Sequence, residues 1–167
     1  MLDAMLGLFV LVVGVFLIMS SYLNVQQPLQ VGLISDDLMA YLSNTKIKNL
    51  NNPYGGLGGE LWRNGNITDR DNTLLQQAGE FYATKHYDVA ENFIRNVSEN
   101  VVPSQFKYEV WIDDFRIYPQ ILAIQDAYSR GNTTLMLTSK KITFGILNRT
   151  TSSTWGPYKA EVFVWQR

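Results

Sequence analysis

The chain has 167 residues, 14 Lys and Arg against 15 Asp and Glu, a formal net charge of −1 and no Cys. That near-balance leaves no basic field for nucleic acid. The missing Cys excludes disulfides, zinc–thiolate sites, iron–sulfur clusters and thiol catalysis, but says nothing of the cellular compartment. With 46% hydrophobic and 13% aromatic residues there is enough apolar material for one domain core.

The apolar residues crowd at the front. From Ala4 to Ser21 no charge occurs, and the first basic residue is Lys46. A helix from Ala4 to Tyr22 would be about 30 Å long, the thickness of a bilayer's hydrocarbon core. The stretch is longer than a signal-peptide apolar region and lacks a small-residue cleavage site. No Lys or Arg holds its N-terminal flank in the cytoplasm; an already removed basic leader is one explanation. Gly7, Gly14 and Ser21 fall seven apart, with Ala4 near the same helical face. Such a stripe lets helices approach closely in an apolar medium, although Gly is common in membrane helices for other reasons.

From Tyr22 to about Thr45 the pattern turns amphipathic, with Leu29, Leu33, Leu38, Tyr41 and Leu42 at helical spacing. Pro28 removes a backbone donor and, with Gly32, is expected to kink or interrupt the helix. Ser35 is placed to N-cap a renewed run. Residues 1–50 therefore read as one long interrupted helix, apolar over 4–23 and one-sided afterwards, and 51–167 as a globular head.

The breakers in "NNPYGGLGGE" (Asn51 to Glu60) read as a flexible connection. The Lys and Ser/Thr of a phosphate loop are missing there, as is a preceding strand. Asp71 to about Asn100 has helical spacing in Leu75, Ala78, Tyr82, Ala90, Phe93, Ile94 and Val97, with Asp71 or Thr73 as cap and Pro103 beyond its end. Three alternating runs predict strands: Phe106 to Asp113, Lys141 to Ile146 and Ala160 to Trp165. Phe115 to Tyr118 and Leu135 to Leu137 are candidates to add or extend strands, and Ile121 to Tyr128 fits either state. The order predicts an α+β fold, a long N-terminal helix packed on a domain with a second helix and an antiparallel sheet.

Catalytic chemistry is hard to assemble from these residues. His86 is the only His, so a Ser–His–Asp triad or a multi-His metal site has no material, and the residue reads as a surface group. Asp36–Asp37 and Asp113–Asp114 are adjacent pairs whose side chains diverge. "DRDN" (Asp69 to Asn72) lacks the Gly and terminal Glu of a calcium loop and suits a helix N-terminus. Trp111 and Trp165 lie opposite in phase to the aliphatic stripes, filling a second layer or facing a neighbouring subunit. Asn66, Asn96, Asn132 and Asn148 each begin an Asn-x-Ser/Thr glycosylation acceptor, which favours an extracellular domain. Asn96, near a helix end, is the poorest of them. No cofactor or metal is expected.

The stretch "LDAMLGLFVLVVGVFLIM" resembles the mature N-terminus of archaeal members of the type IV pilin superfamily, and "SKKITFGILN" with "GPYKAEVFVW" is similar to their paired final strands. The resemblance implies a basic leader removed by a dedicated peptidase. It also implies a helix stored in the membrane and then packed with its copies, or with other pilin subunits, as the axis of a surface filament built by assembly machinery. The head domains would form the outer wall and serve adhesion. Met5 stands where bacterial pilins usually carry Glu, and their C-terminal Cys pair is missing; archaeal members often lack that Glu. The competing expectation is a single-pass membrane-anchored extracellular binding domain that does not polymerise, with a tethered enzyme third.

Overall fold

A computed structural model describes residues 2–50, 56–121, 123–133, 135–148 and 152–166; the side chains of 2–4, 6, 21–30, 56–58, 128 and 148 lie outside the description. The fold is α+β. Helix α1 (Leu2–Asn44) is followed by a 3-10 turn (Ile47–Asn49), α2 (Gly56–Arg63), α3 (Leu74–Ala83) and α4 (Tyr87–Ser98). Then come β1 (Phe106–Ile112), β2 (Phe115–Tyr118), α5 (Ile124–Asn132), β3 (Met136–Asn148) and β4 (Ser153–Gln166). The sheet is antiparallel with order β2-β1-β4-β3.

The inner sheet face and the helices make one core. Val31, Ser35, Leu38, Met39 and Leu42 of α1 are buried, a spacing that puts them on one helical face. They pack toward β3 and β4, α3 packs on the same two strands, and α4 covers β2. Leu33, expected on that face, is 61% exposed. The helix is continuous through Pro28 and Gly32, so the expected interruption is not found within residues 2–44, and a continuous helix is compatible with a kink at the proline. Proline removes only one backbone donor, and flanking bonds hold the helix on either side. Gly32 has a packing role: a Cβ there would lie 3.3 Å from Leu137 Cδ1, so the missing side chain lets α1 sit close to β3. Ser35 is no cap. It lies mid-helix and its Oγ donates to Gly32 O at 2.9 Å.

Two further expectations are corrected by helix ends that the residue types conceal. Residues 71–100 hold two helices. The chain leaves α3 through Lys85, at φ 62°, with His86 N donating to Phe81 O and Lys85 N to Tyr82 O. This is a Schellman cap with lysine in the glycine position. Likewise the Gly-rich stretch is not all connection, since α2 begins at Gly56. Its end is the same cap in its usual form, with Gly65 at φ 72° and bonds from Asn66 N to Leu61 O and Gly65 N to Trp62 O. Burial of Leu61 and Ile67 ties it to the core. At the start of α3 Thr73 is the cap, in a reciprocal capping box with Gln76.

The three aliphatic stripes do not share a face. Tyr108, Val110 and Ile112 pair across from Val164, Val162 and Ala160 and face the helices. On β3 it is Leu137, Ser139 and Lys141 that oppose those β4 residues, so alternation turns Ile142, Phe144 and Ile146 outward. They are 60%, 64% and 51% exposed. Phe115–Tyr118 is a full strand, and the ambiguous 121–128 stretch contributes to α5, a third layer on the outer sheet face.

Candidate functional site

Three features could carry function: the front of α1, the outer sheet face, and a groove beside Trp155. In the front half of α1, twelve large apolar side chains from Met5 to Met19 are exposed, Phe9, Phe16 and Ile18 among the most. They occur at consecutive positions and so surround the helix rather than forming a stripe. Gly7 and Gly14 face open space, with nothing within 4 Å of a built Cβ. Ala4, Ser21 and Pro28, named from the sequence, have side chains outside the described set. Described side chains in this half run from Met5 to Ser20, about 24 Å of helix against a hydrocarbon core of about 30 Å. Among the described residues, no helix is long and apolar enough to cross a membrane.

The outer sheet face is polar where it meets α5. Glu109 is fully buried and takes 3.4 Å contacts from Arg116 Nη1 of β2 and Arg130 Nη2 of α5, plus a 2.8 Å bond from Trp111 Nε1. The Arg116 guanidinium also lies 5.8 Å from the Trp111 ring centre. Further along, Lys107 pairs with Asp126 at 3.3 Å and Trp165 Nε1 donates to Ser129 Oγ at 3.1 Å. Trp165, fully buried, therefore fills a second layer. On β4, Glu161 is gripped by Lys140 at 2.7 Å and Lys159 at 3.1 Å, and the Lys140 hydrogen bond holds its carboxyl below the ordinary carboxylate range.

A clamp closes the other end of the sheet. The Trp155 ring lies between Gly79 of α3 and Gly145 of β3, where a Cβ would come within 2.3 Å and 2.7 Å of ring carbons. Trp155 stacks on Tyr158, with centroids 5.7 Å apart, and Tyr158 meets Tyr82 edge-on at 5.1 Å. Beside it a groove of about 580 Å³ is lined by Asp69, Asn72, Gln76, Phe144, Ile146 and Trp155 among others. Glu80 is buried behind this loop, accepting from Thr68 Oγ1 at 2.8 Å and Asn72 Nδ2 at 3.0 Å. Desolvation raises its carboxyl above the usual range despite those bonds.

The residues screened for catalysis have structural explanations. Asp113 N donates to Lys159 O at 2.7 Å while its Oδ1 accepts from Lys159 N at 2.8 Å. Asp71 is held by Lys48 at 2.6 Å and Lys46 at 3.4 Å, which lower its carboxyl pKa, and Asp69 Oδ1 accepts from Asp71 N. Asp36 and Asp37 lie exposed on α1. His86 is exposed, 3.1 Å from Thr84 Oγ1. Among the described residues no His, Cys, Asp and Glu group could hold a metal.

The four glycosylation acceptors are not equivalent. Asn132 is exposed at the end of α5, and Asn66 is half-buried after Gly65. Asn96 is exposed on α4, but its Ser98 is fully buried with Oγ bound to Ile94 O and Tyr108 OH. The Asn148 side chain lies outside the described set. Glu109, Arg116, Gln120 and Arg130 went unnoticed in the sequence. The only signal was a charged residue in phase with Trp111, and the partner arginines come from elements whose packing no local pattern reveals. No protein-family model, curated protein or solved structure matches the chain.

Proposed function

We propose that the chain is the structural subunit of an extracellular, type IV pilus-like filament, polymerising through its apolar N-terminal helix and carrying its α+β head outside. One observation supports this most: a single helix, Leu2–Asn44, is apolar on all sides at its front, with twelve exposed large hydrophobics, and one-sided behind, where it is buried in the head. Burying each such side chain is worth about 1.5–3 kcal/mol, so the front cannot rest in water. Lipid or other copies of the same helix must cover it. In the proposed cycle the Ala4–Tyr22 stretch is stored in the membrane and then exchanges lipid for neighbouring helices, with Gly7 and Gly14 allowing close approach. Repetition of one head-to-tail contact whose rotation does not close makes the assembly an open helix.

The test is negative-stain electron microscopy of surface filaments from cells expressing wild type or Gly14→Leu. Gly14 meets nothing within 4 Å in the isolated subunit. The variant should therefore fold and reach the membrane normally yet give few or no filaments. Normal filaments from Gly14→Leu would remove the packing role. A wild-type chain that stays monomeric in the membrane would favour the anchored, non-polymerising domain instead.

A further inference from the structure

Two uncovered patches lie on opposite sides of the head. The buried residues of α1, Val31, Ser35, Leu38 and Leu42, turn to the inner face of β3 and β4. Leu33, Asp36, Asp37 and Ala40 are exposed and point away from the sheet. Asp36 and Asp37 make no ion pair among the described residues. On the far side of the sheet, β3 presents Ile142, Phe144 and Ile146 to solvent. One patch is thus an apolar residue with two free carboxylates, and the other an apolar strand face.

The patches match in spacing and charge. On β3, Lys140 is two residues from Ile142 on the same face, about 6.8 Å along the strand, and Lys159 lies directly across from Ile142. On α1, Asp36 and Asp37 follow Leu33 by three and four residues, about 4.5–6 Å along the helix. Leu33 set on Ile142 therefore carries the carboxylates to Lys140 when the helix runs from Ile142 toward it. Both lysines hold Glu161, at 2.7 Å and 3.1 Å, with side chains 61% and 45% exposed. An ammonium has three donors, so each keeps donors for a second carboxylate. Acids elsewhere fix the register. Phe144 and Ile146 share a groove with Asp69, which repels Asp36 and Asp37 from that end of the strand. Asp113, whose Oδ1 accepts from Lys159 N, opposes a shift toward β1.

We propose that the outward face of α1 around Leu33, Asp36 and Asp37 docks on the outer face of β3 around Ile142 and Lys140 of a second copy of this chain. The inference rests on the filament reading and adds a specific contact to it. The two patches differ and face opposite ways, so the contact is heterologous: each copy receives one neighbour on β3 and offers its α1 to the next. Removal of Leu33 and Ile142 from water supplies attraction, and the carboxylate–ammonium pairs set register. The docked face is continuous with the uncovered front of α1, so neighbours cover one side of the helix along its length.

The test is disulfide trapping in surface filaments, which the chain's lack of Cys makes unambiguous. Two double variants, Leu33→Cys with Ile142→Cys and Asp37→Cys with Lys140→Cys, are oxidised on cells and run on non-reducing denaturing gels beside the single variants. Within one copy the paired positions lie on opposite sides of α1 and the sheet, so any bond between them joins copies. At least one double variant should give a ladder of dimers, trimers and longer chains, with the single variants monomeric. Asp37→Lys, exposed and with no ion pair to lose, should fold as wild type by circular dichroism yet cut filament mass at least about fivefold. Adding Lys140→Glu should restore most of that mass. Filaments without a ladder from either pair, or a ladder that stops at dimers, would overturn this contact while leaving the filament reading standing. Unchanged filament mass in Asp37→Lys would overturn the charged match. Wild type without filaments would overturn both readings.

Discussion

Gly79→Ala is the sharpest probe of the tertiary structure. The added Cβ would lie 2.3 Å from Trp155 Cη2 and 2.5 Å from Cζ3, where carbon atoms prefer about 3.5–4.0 Å. The ring must therefore retreat by more than about 1 Å. It has little room to retreat, because Tyr158 stacks on the ring with centroids 5.7 Å apart, the Gly145 backbone is also close enough that a Cβ there would clash, and Trp155 is 5% exposed. Overpacking a core usually costs about 1–3 kcal/mol, and a side chain held on both sides should reach the upper end. At about 2–4 °C per kcal/mol for a chain of this size, the expected fall in Tm is about 6–12 °C. The assay is thermal and urea unfolding of the full chain in detergent by near-ultraviolet circular dichroism. Repeating the substitution in a Trp155→Leu background isolates the clash, since the smaller side chain makes room. There, Gly79→Ala should cost under about 1 kcal/mol, a coupling of about 2 kcal/mol. Equal losses in both backgrounds would refute the clamp and point to helix backbone effects.

Other outcomes follow from single contacts. Thr73→Ala removes half of a reciprocal cap and should cost about 1 kcal/mol by urea unfolding, with Thr73→Asn close to wild type. Glu80 titrates above the usual carboxylate range in the folded state, so its charge is a cost at neutral pH that fades as pH falls through its raised pKa toward 4.5. Wild type should therefore gain stability relative to Glu80→Gln between pH 7 and 4.5; parallel pH profiles would refute this. Glu161 has the opposite sign: its lowered pKa contributes stability above about pH 4.5 that is lost as pH falls further, and Lys140→Met should shrink that acid loss. If the chain is glycosylated after folding, glycopeptide mass spectrometry should find Asn132 occupied and Asn96 bare, because Ser98 is buried with its hydroxyl engaged. Occupied Asn96 would show modification before α4 forms.

The failures of local reading have specific causes. Lys85 ends α3 because two carbonyls, Phe81 O and Tyr82 O, accept bonds from the turn, and lysine gives no sign that it will adopt a positive φ. The Gly-rich stretch looked like a connection because glycine is a poor helix former, yet Leu61 and the Gly65 cap hold α2 in place. Register decided the fate of Ile142, Phe144 and Ile146. Their alternation is as clear as that of Tyr108, Val110 and Ile112, and period two alone says that a stripe exists without saying which side it takes.

The sequence by itself determined what depends on neighbours along the chain. It marked the uncharged front of α1, the α+β order, the strands at β1, β3 and β4, and the lack of material for thiol or histidine chemistry. These follow from periodicity and composition, which act over one or two turns. Tertiary structure alone decided which residues meet across distance. It put Trp155 between Gly79 and Gly145, turned β3's apolar stripe to solvent, and brought Arg130 of α5 to a Glu109 fully buried on β1. Each of these depends on how layers pack and how strands register. A burial cost exists only once those layers have met.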